Sequence, residues 1–192
     1  MDNRFKLIEN EVYGDTLHLG SNNSDAWGNL QETLNKNNKV YSCDICGTPD
    51  YKIDLNDLIW NIDKKFDTVV AGEIIEHVRD PINFLNNCYA LLKDNGKIIL
   101  TTPNATSLSY LVNPSWCVGT KEELWHIHCF TSAMIKVMAE RTGFIDIQIQ
   151  YINSYSKNPI SICVGWLIPR LKGGLIMIAR KPKGLNTSKV IY

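Results

Sequence analysis

Five short apolar runs, each closed by turn residues, constrain this chain more than any other feature: "TLHLG" (16–20), "KVYSCD" (39–44), "YKID" (51–54), "FDTVVAG" (66–72) and "KIILTT" (97–102). They are too short for buried helices and rich in β-branched and apolar residues, so each is predicted as a strand. Helical periodicity fills two of the gaps. Residues 24–36 offer Ser24 as a cap with Ala26, Leu30 and Leu34 facing inward. "DPINFLNNCYALLKDNG" offers Asp80 as a cap, Pro81 in the first turn, Ile82, Leu85, Tyr89 and Leu92 on one face, and Gly96 as a left-handed stop. Strands separated by helices pair in parallel through right-handed crossovers.

A third helix is expected over 131–142, ending at Gly143, with Met134, Val137, Met138 and Arg141 at helical spacing. Beyond it the period changes. "FIDIQIQ" alternates strictly and "GLIMIAR" reads as a buried strand, with no clear helix between them, which implies an antiparallel pair at the sheet edge. The expected fold class is α/β: a doubly wound, mostly parallel, seven-stranded Rossmann-like sheet with an antiparallel last strand.

A chain of 192 residues fits one domain, 1–192, with a lead-in over 1–14 and an insert over 103–130 where a lid would sit. Its 44% hydrophobic and 21% charged residues exclude disorder and fibrous classes. The longest apolar-rich run, "ISICVGWLIP", is far short of the ~20 residues that cross a bilayer, and the amino end has no apolar signal core, so a cytoplasmic protein with no membrane partner is expected. Six cysteines are too sparse for a disulfide scaffold, and no disulfide is predicted. The formal net charge is zero, yet no acidic residue follows Asp146 while seven basic ones do. This cationic segment reads first as a solvated face and second as an attractor for an anionic metabolite. A neutral total gives no footprint for nucleic acid.

In such a sheet ligands bind beyond the carboxyl ends of the strands, which directs attention to Gly20, Asp44, Asp54 and Gly72–Glu73. Asp44 lies 24 residues after Gly20, the separation at which a carboxylate reaches a ribose over the first strand; the plain alternative is a surface turn.

The segment "FDTVVAGEIIEHVRDPINFLNNCYALLKDNGKIILTTPN" resembles the central part of class I S-adenosylmethionine-dependent methyltransferases. "HIHCFTSAMIKVMAERTGF" is similar to their late segment, and the likeness runs over residues 15–185. The resemblance implies S-adenosylmethionine as cofactor. Gly20, Ser21 and Asn22 would meet its methionine part, Asp44 the ribose, Ile45 the adenine face, Asp54 and Leu55 the adenine edge, and Glu73 its polar end. The chain departs from the family in the opening stretch "LHLGSNNSDAWGN" (17–29), where His18 replaces a common acidic residue and Asn22 and Ser24 replace glycines. Asparagine tolerates left-handed geometry and Ser24 can cap a helix whose amino end faces the ligand, so the loop remains usable, with weakened cofactor affinity expected.

Methyl transfer from a sulfonium is an in-line displacement that depends mainly on positioning, and a base is needed when the acceptor starts as a neutral hydroxyl or amine. His77, His126 and His128 are the candidates; for His77 a loop-pinning hydrogen bond is the competing role. His126 and His128 alternate and could point the same way if the segment is extended. Cys43 and Cys46 have zinc-ligand spacing and "HIHC" adds three donors, but two small packing cysteines are the simpler reading, and no metal is expected. Trp116 and Trp125 could shape an acceptor pocket or cover the core. The expected activity is methyl transfer to a small-molecule acceptor, at oxygen, with a sugar or anionic metabolite as one class. A nicotinamide oxidoreductase is disfavoured by the weak glycine turn. The alternative is a silent methyltransferase-like binding or regulatory domain, and assembly into a homo-oligomer stays open.

Overall fold

Side-chain alternation along the central strands sets the layers. The computed structural model describes residues 3–21, 30–31, 34, 39–115, 126–153 and 159–184. Among them α1 (Asn3–Glu11) is followed by β1 (Asp15–Leu19), β2 (Lys39–Asp44), β3 (Tyr51–Lys52), β4 (Phe66–Gly72), α2 (Pro81–Leu91) and β5 (Leu92–Pro103). Then come α3 (Leu108–Val112), α4 (Ser132–Thr142), β6 (Ile145–Ile152), α5 (Pro159–Leu167) and β7 (Gly174–Arg180). The strands form one sheet in the order β3-β2-β1-β4-β5-β7-β6. Strands β1 to β5 pair in parallel and β7 runs antiparallel to both of its neighbours, so the expected fold class holds.

Leu17, Leu19, Val69, Ala71, Ile98 and Leu100 point to one face, where Phe84, Leu85 and Cys88 of α2 and Ile135 and Ala139 of α4 cover them. The intervening Val70 and Ile99 point to the other, beneath Ile8, Val12, Leu30 and Leu34. Burying each large aliphatic side chain contributes roughly 1.5–3 kcal/mol, so both faces must be covered for the sheet to persist. Ala26 and Ser24 lie outside the described residues, while Leu30, Gln31 and Leu34 are helical as expected.

Several local expectations are corrected. Asp80 does cap α2, accepting from Ile82 N (3.0 Å) and Asn83 N (2.9 Å), and Pro81 opens the first turn. The helix ends at Leu91, however, and passes straight into β5, with Asn95 rather than Gly96 in the left-handed region (φ 62). Gly96 serves close approach instead: a Cβ there would lie 2.9 Å from the Lys93 carbonyl and 3.1 Å from that of Asp67. Ile82 is exposed, and the inward stripe is Phe84, Leu85 and Cys88 with Tyr89 and Leu91, the residues that dock on the sheet. In α4, capped by Thr131 and closed at Gly143 (φ 101), Met134 and Val137 are exposed while Ile135, Ala139 and Thr142 are buried.

Three helices among the described residues were hidden from pattern reading, the short α3 within 103–130 being one. Residues 1–14 contain α1, and α5 separates β6 from β7. The second escapes detection because its apolar residues do not form a stripe: Ile162, Trp166 and Leu167 are exposed. Cys129 is disulfide-bonded, against the expectation of none, whereas Cys43, Cys46, Cys88 and Cys163 are free. No helix among the described residues is long and apolar enough to cross a membrane.

Candidate active site

The parallel register brings the strand ends level. Leu19 pairs with Cys43 on one side and Ala71 on the other, so Gly20, Asp44 and Gly72 leave the sheet along one edge. Gly20 has φ 67, donates its N–H to the Cys43 carbonyl (2.8 Å), and sits against Ile74, whose Cγ1 would lie 3.1 Å from any added Cβ. Only glycine meets both demands without strain. Ser21 is buried, and its Oγ has no hydrogen-bond partner among the described residues. Asn22 and Ser24 lie outside the described residues.

Asp44 is buried at the end of β2, with Oδ1 accepting from Cys46 N at 2.9 Å, while the adjoining Ile45 is 54% exposed. Asp54 follows β3 and closes a turn, its Oδ1 accepting from Asn56 N (2.9 Å) and Asn56 Nδ2 (3.0 Å); Leu55 packs partly on the core. His18 stands on β1 with Nδ1 2.6 Å from Gln31 Oε1. Burial lowers its pKa more than Gln31 and Asp44 raise it, so the ring is neutral near pH 7. An uncharged imidazole therefore occupies the strand position where the resemblance leads one to expect an acid.

A polar cluster lies beyond β4. Glu73 adopts φ 53, donates its N–H to the Thr101 carbonyl (3.0 Å), and places Oε1 3.5 Å from Arg4 Nη1 of α1. Glu76 is fully buried and its Oε2 accepts from Thr102 Oγ1 at 2.9 Å. Burial first, then the neighbouring Glu73 charge, pushes the Glu76 carboxyl well above its usual range. Its backbone carbonyl accepts from Ile127 N (3.0 Å) and His128 N (3.2 Å), tying the segment before α4 to the β4 loop. The His77 and His126 rings consequently meet at 4.9 Å, inclined by 64°.

His128 parts from this pair: Nε2 lies 3.4 Å from the Arg79 carbonyl and its ring 5.7 Å from Phe130. The chain bends between the two histidines, which removes the common direction that an extended segment would give. Burial, with Glu73 and Glu76, pushes the Tyr110 phenol of α3 up to about 12. Among the described residues Glu76, His77 and His126 form a group of potential ligand atoms within 4.8 Å of one another, and Cys43 and Cys46 are not part of it. Trp116 and Trp125 lie outside the described residues.

Sequence reading missed Arg4, Glu76 and Tyr110. The Ile8 and Val12 spacing could have flagged α1, and Glu76 precedes the singled-out His77, but nothing in the sequence marks Tyr110. Chemically, the edge combines a tight glycine turn, a buried carboxylate at a neighbouring strand end, and an acid–imidazole cluster able to take up a proton.

Residues 23–149 match the family model described as a methyltransferase domain. The mitochondrial ubiquinone biosynthesis O-methyltransferase of Bos taurus is 41% identical over 56 residues, 29% of this chain and 15% of that protein. The ubiquinone biosynthesis O-methyltransferase of Haemophilus ducreyi is 43% identical over 49 residues, 26% of this chain and 21% of that protein. The matches thus span a small part of these relatives' length. A solved SAM-dependent methyltransferase from Archaeoglobus fulgidus superposes with a TM-score of 0.64 at 20% identity, covering 92% of this chain and 94% of that one, a likeness of fold.

Proposed function

Because this chain belongs to the methyltransferase domain family, we propose that it transfers the methyl group of S-adenosylmethionine to the oxygen of a small-molecule acceptor. The observation that carries the reading is the cluster of buried Glu76 with the half-buried His77 and His126 on the same sheet edge as the Gly20 turn. S-adenosylmethionine, when bound, supplies a methyl group on a positively charged sulfur. The strand ends fit it. Gly20 allows close backbone approach, the unpartnered Ser21 Oγ offers a hydrogen bond to the methionine part, and Asp44 is held where it can accept from ribose hydroxyls. Ile45 is exposed to meet the adenine face, with Asp54 and Leu55 at its edge and Glu73 beside the polar end; Asn22 keeps its proposed place by the methionine part.

Oxygen is favoured because a neutral hydroxyl must lose a proton, and this edge has groups to receive it. The local likeness to ubiquinone O-methyltransferases supports the same choice. His77 or His126 would take the proton of the acceptor hydroxyl as its oxygen accepts the methyl group that the cofactor would supply, the cofactor's sulfur leaving as a neutral thioether. His77 and His126 are the proposed candidates at the reacting atoms. His128, turned toward Arg79, is the weaker third. A single domain working in the cytoplasm completes the proposal.

The test is turnover. Purified protein is incubated with S-adenosylmethionine and a panel of catechols, phenols and phosphorylated sugars, and S-adenosylhomocysteine is quantified. The expected result is turnover with at least one hydroxylated acceptor, with Asp44→Ala raising the KM for the cofactor roughly tenfold or more, the loss of about 1.4 kcal/mol or more of binding. Cofactor binding without turnover on any acceptor would favour the silent binding domain instead.

A further inference from the structure

The two ends of the sheet are unlike. Strand β3 is two residues long, whereas β6 runs from Ile145 to Ile152 and pairs, among the described residues, with β7 alone. An edge strand of that length presents a row of backbone N–H and C=O groups to whatever comes beside it, and natural edges are commonly blunted by charge, proline or a bulge. Asp146, at φ 51 with a register shift between Ile145 and Gln148, is such a bulge at the entry to β6. From Ile147 to Ile152 the run "IQIQYI" then carries no charge, no proline and no glycine. Ile147, Ile149 and Tyr151 pack against the core on one face, while Gln148 and Gln150 are exposed on the other.

We propose that β6 pairs antiparallel with β6 of a second copy of this chain, joining the two sheets edge to edge. The strand is complementary to itself. With Ile149 opposite Ile149 on a two-fold axis, Ile147 meets Tyr151 and Gln148 meets Gln150, so apolar side chains adjoin apolar ones and amides adjoin amides.

Charge agrees with the same axis. Helix α4 lies over β6 and β7, and Ser132 Oγ, 2.7 Å from Tyr151 Oη, fixes which flank of the helix faces the edge. Lys136 and Glu140 follow at four-residue steps on that flank, 59% and 52% exposed. An axis perpendicular to the sheet keeps both α4 helices on one face and reverses their directions, which sets Lys136 of one copy toward Glu140 of the other. Association stops at two, because the joined sheet ends on both sides in β3, too short to recruit a further strand. The seam lies four strands from β1, roughly 19 Å at the usual strand spacing, so the Gly20 edge stays open and dimerisation is independent of the methyl-transfer reading.

The experiment is sedimentation equilibrium of the whole chain from low to high micromolar concentration. The expected result is a monomer–dimer equilibrium with micromolar Kd, weakened at least tenfold by Gln148→Lys combined with Gln150→Lys, which sets lysine against lysine across the seam from exposed positions. Lys136→Glu alone weakens the dimer, and adding Glu140→Lys restores it. Amide hydrogen exchange over Ile147–Ile152 slows as the dimer fills, and near-ultraviolet circular dichroism checks that each variant is folded; the α4 variants, on an exposed helix surface, decide the matter should the paired lysines unfold β6. A chain that stays monomeric throughout overturns the proposal. So does a dimer that survives the paired lysines, one indifferent to the charge at residue 136, or one dispersed instead by Trp166→Ser on the exposed face of α5.

Discussion

Gly20 combines a left-handed backbone with a place in the proposed cofactor turn. Its φ of 67 and its contact with Ile74 mean that Gly20→Ala adds a side chain in a region where L-residues lose roughly 1–2 kcal/mol, before any displacement of Ile74. Denaturant unfolding should show at least that loss, together with weakened cofactor binding. His18 gives a pH signature with a defined sign. Its pKa is lowered from 6.5 by burial, so the neutral ring contributes stability that is fully present above the unfolded value and is lost as pH falls through the folded one. Thermal melts between about pH 5 and 7 should therefore decline on the acid side, and His18→Gln should flatten part of that decline. An unchanged slope in the variant would assign the decline to other groups. At this scale the sequence revealed the residues at strand ends, such as Gly20 and Asp44, because position in the chain dictates them. It concealed partners that arrive from afar: Arg4, 69 positions before Glu73, and Tyr110 carry no local signal of where they fold.

Among the elements, α2 shows how a start signal outweighs a face assignment. Asp80 and Pro81 define its beginning, and Asp80→Ala should cost about 1 kcal/mol in urea unfolding by releasing the amides of Ile82 and Asn83. Phe84→Ala on the buried stripe should cost about 3–5 kcal/mol, whereas Ile82→Ala, on an exposed position, should cost much less. The inward face followed from how the helix docks on the sheet, which spacing alone left ambiguous. The same reasoning explains α5. Its residues are largely apolar, so periodicity had no stripe to find, and the helix lies against α3 and the chain around Pro169–Leu171.

For the molecule as a whole, alternation of strand and helix made the parallel sheet legible, and the switch to period two at residues 144–150 announced the edge. The polar cluster beyond β4 was only half legible, since it is assembled from loops fifty residues apart that backbone hydrogen bonds to Glu76 draw together. The edge that carries Gly20, Asp44 and Glu73 is the proposed seat of S-adenosylmethionine. Calorimetric titration with S-adenosylmethionine and S-adenosylhomocysteine, with NAD as control, tests it most directly. The expected result is one site per chain with micromolar affinity for the first two, weakened by Asp44→Ala, and no heat from NAD. Silence with both sulfur ligands, or binding of NAD in their place, would contradict it.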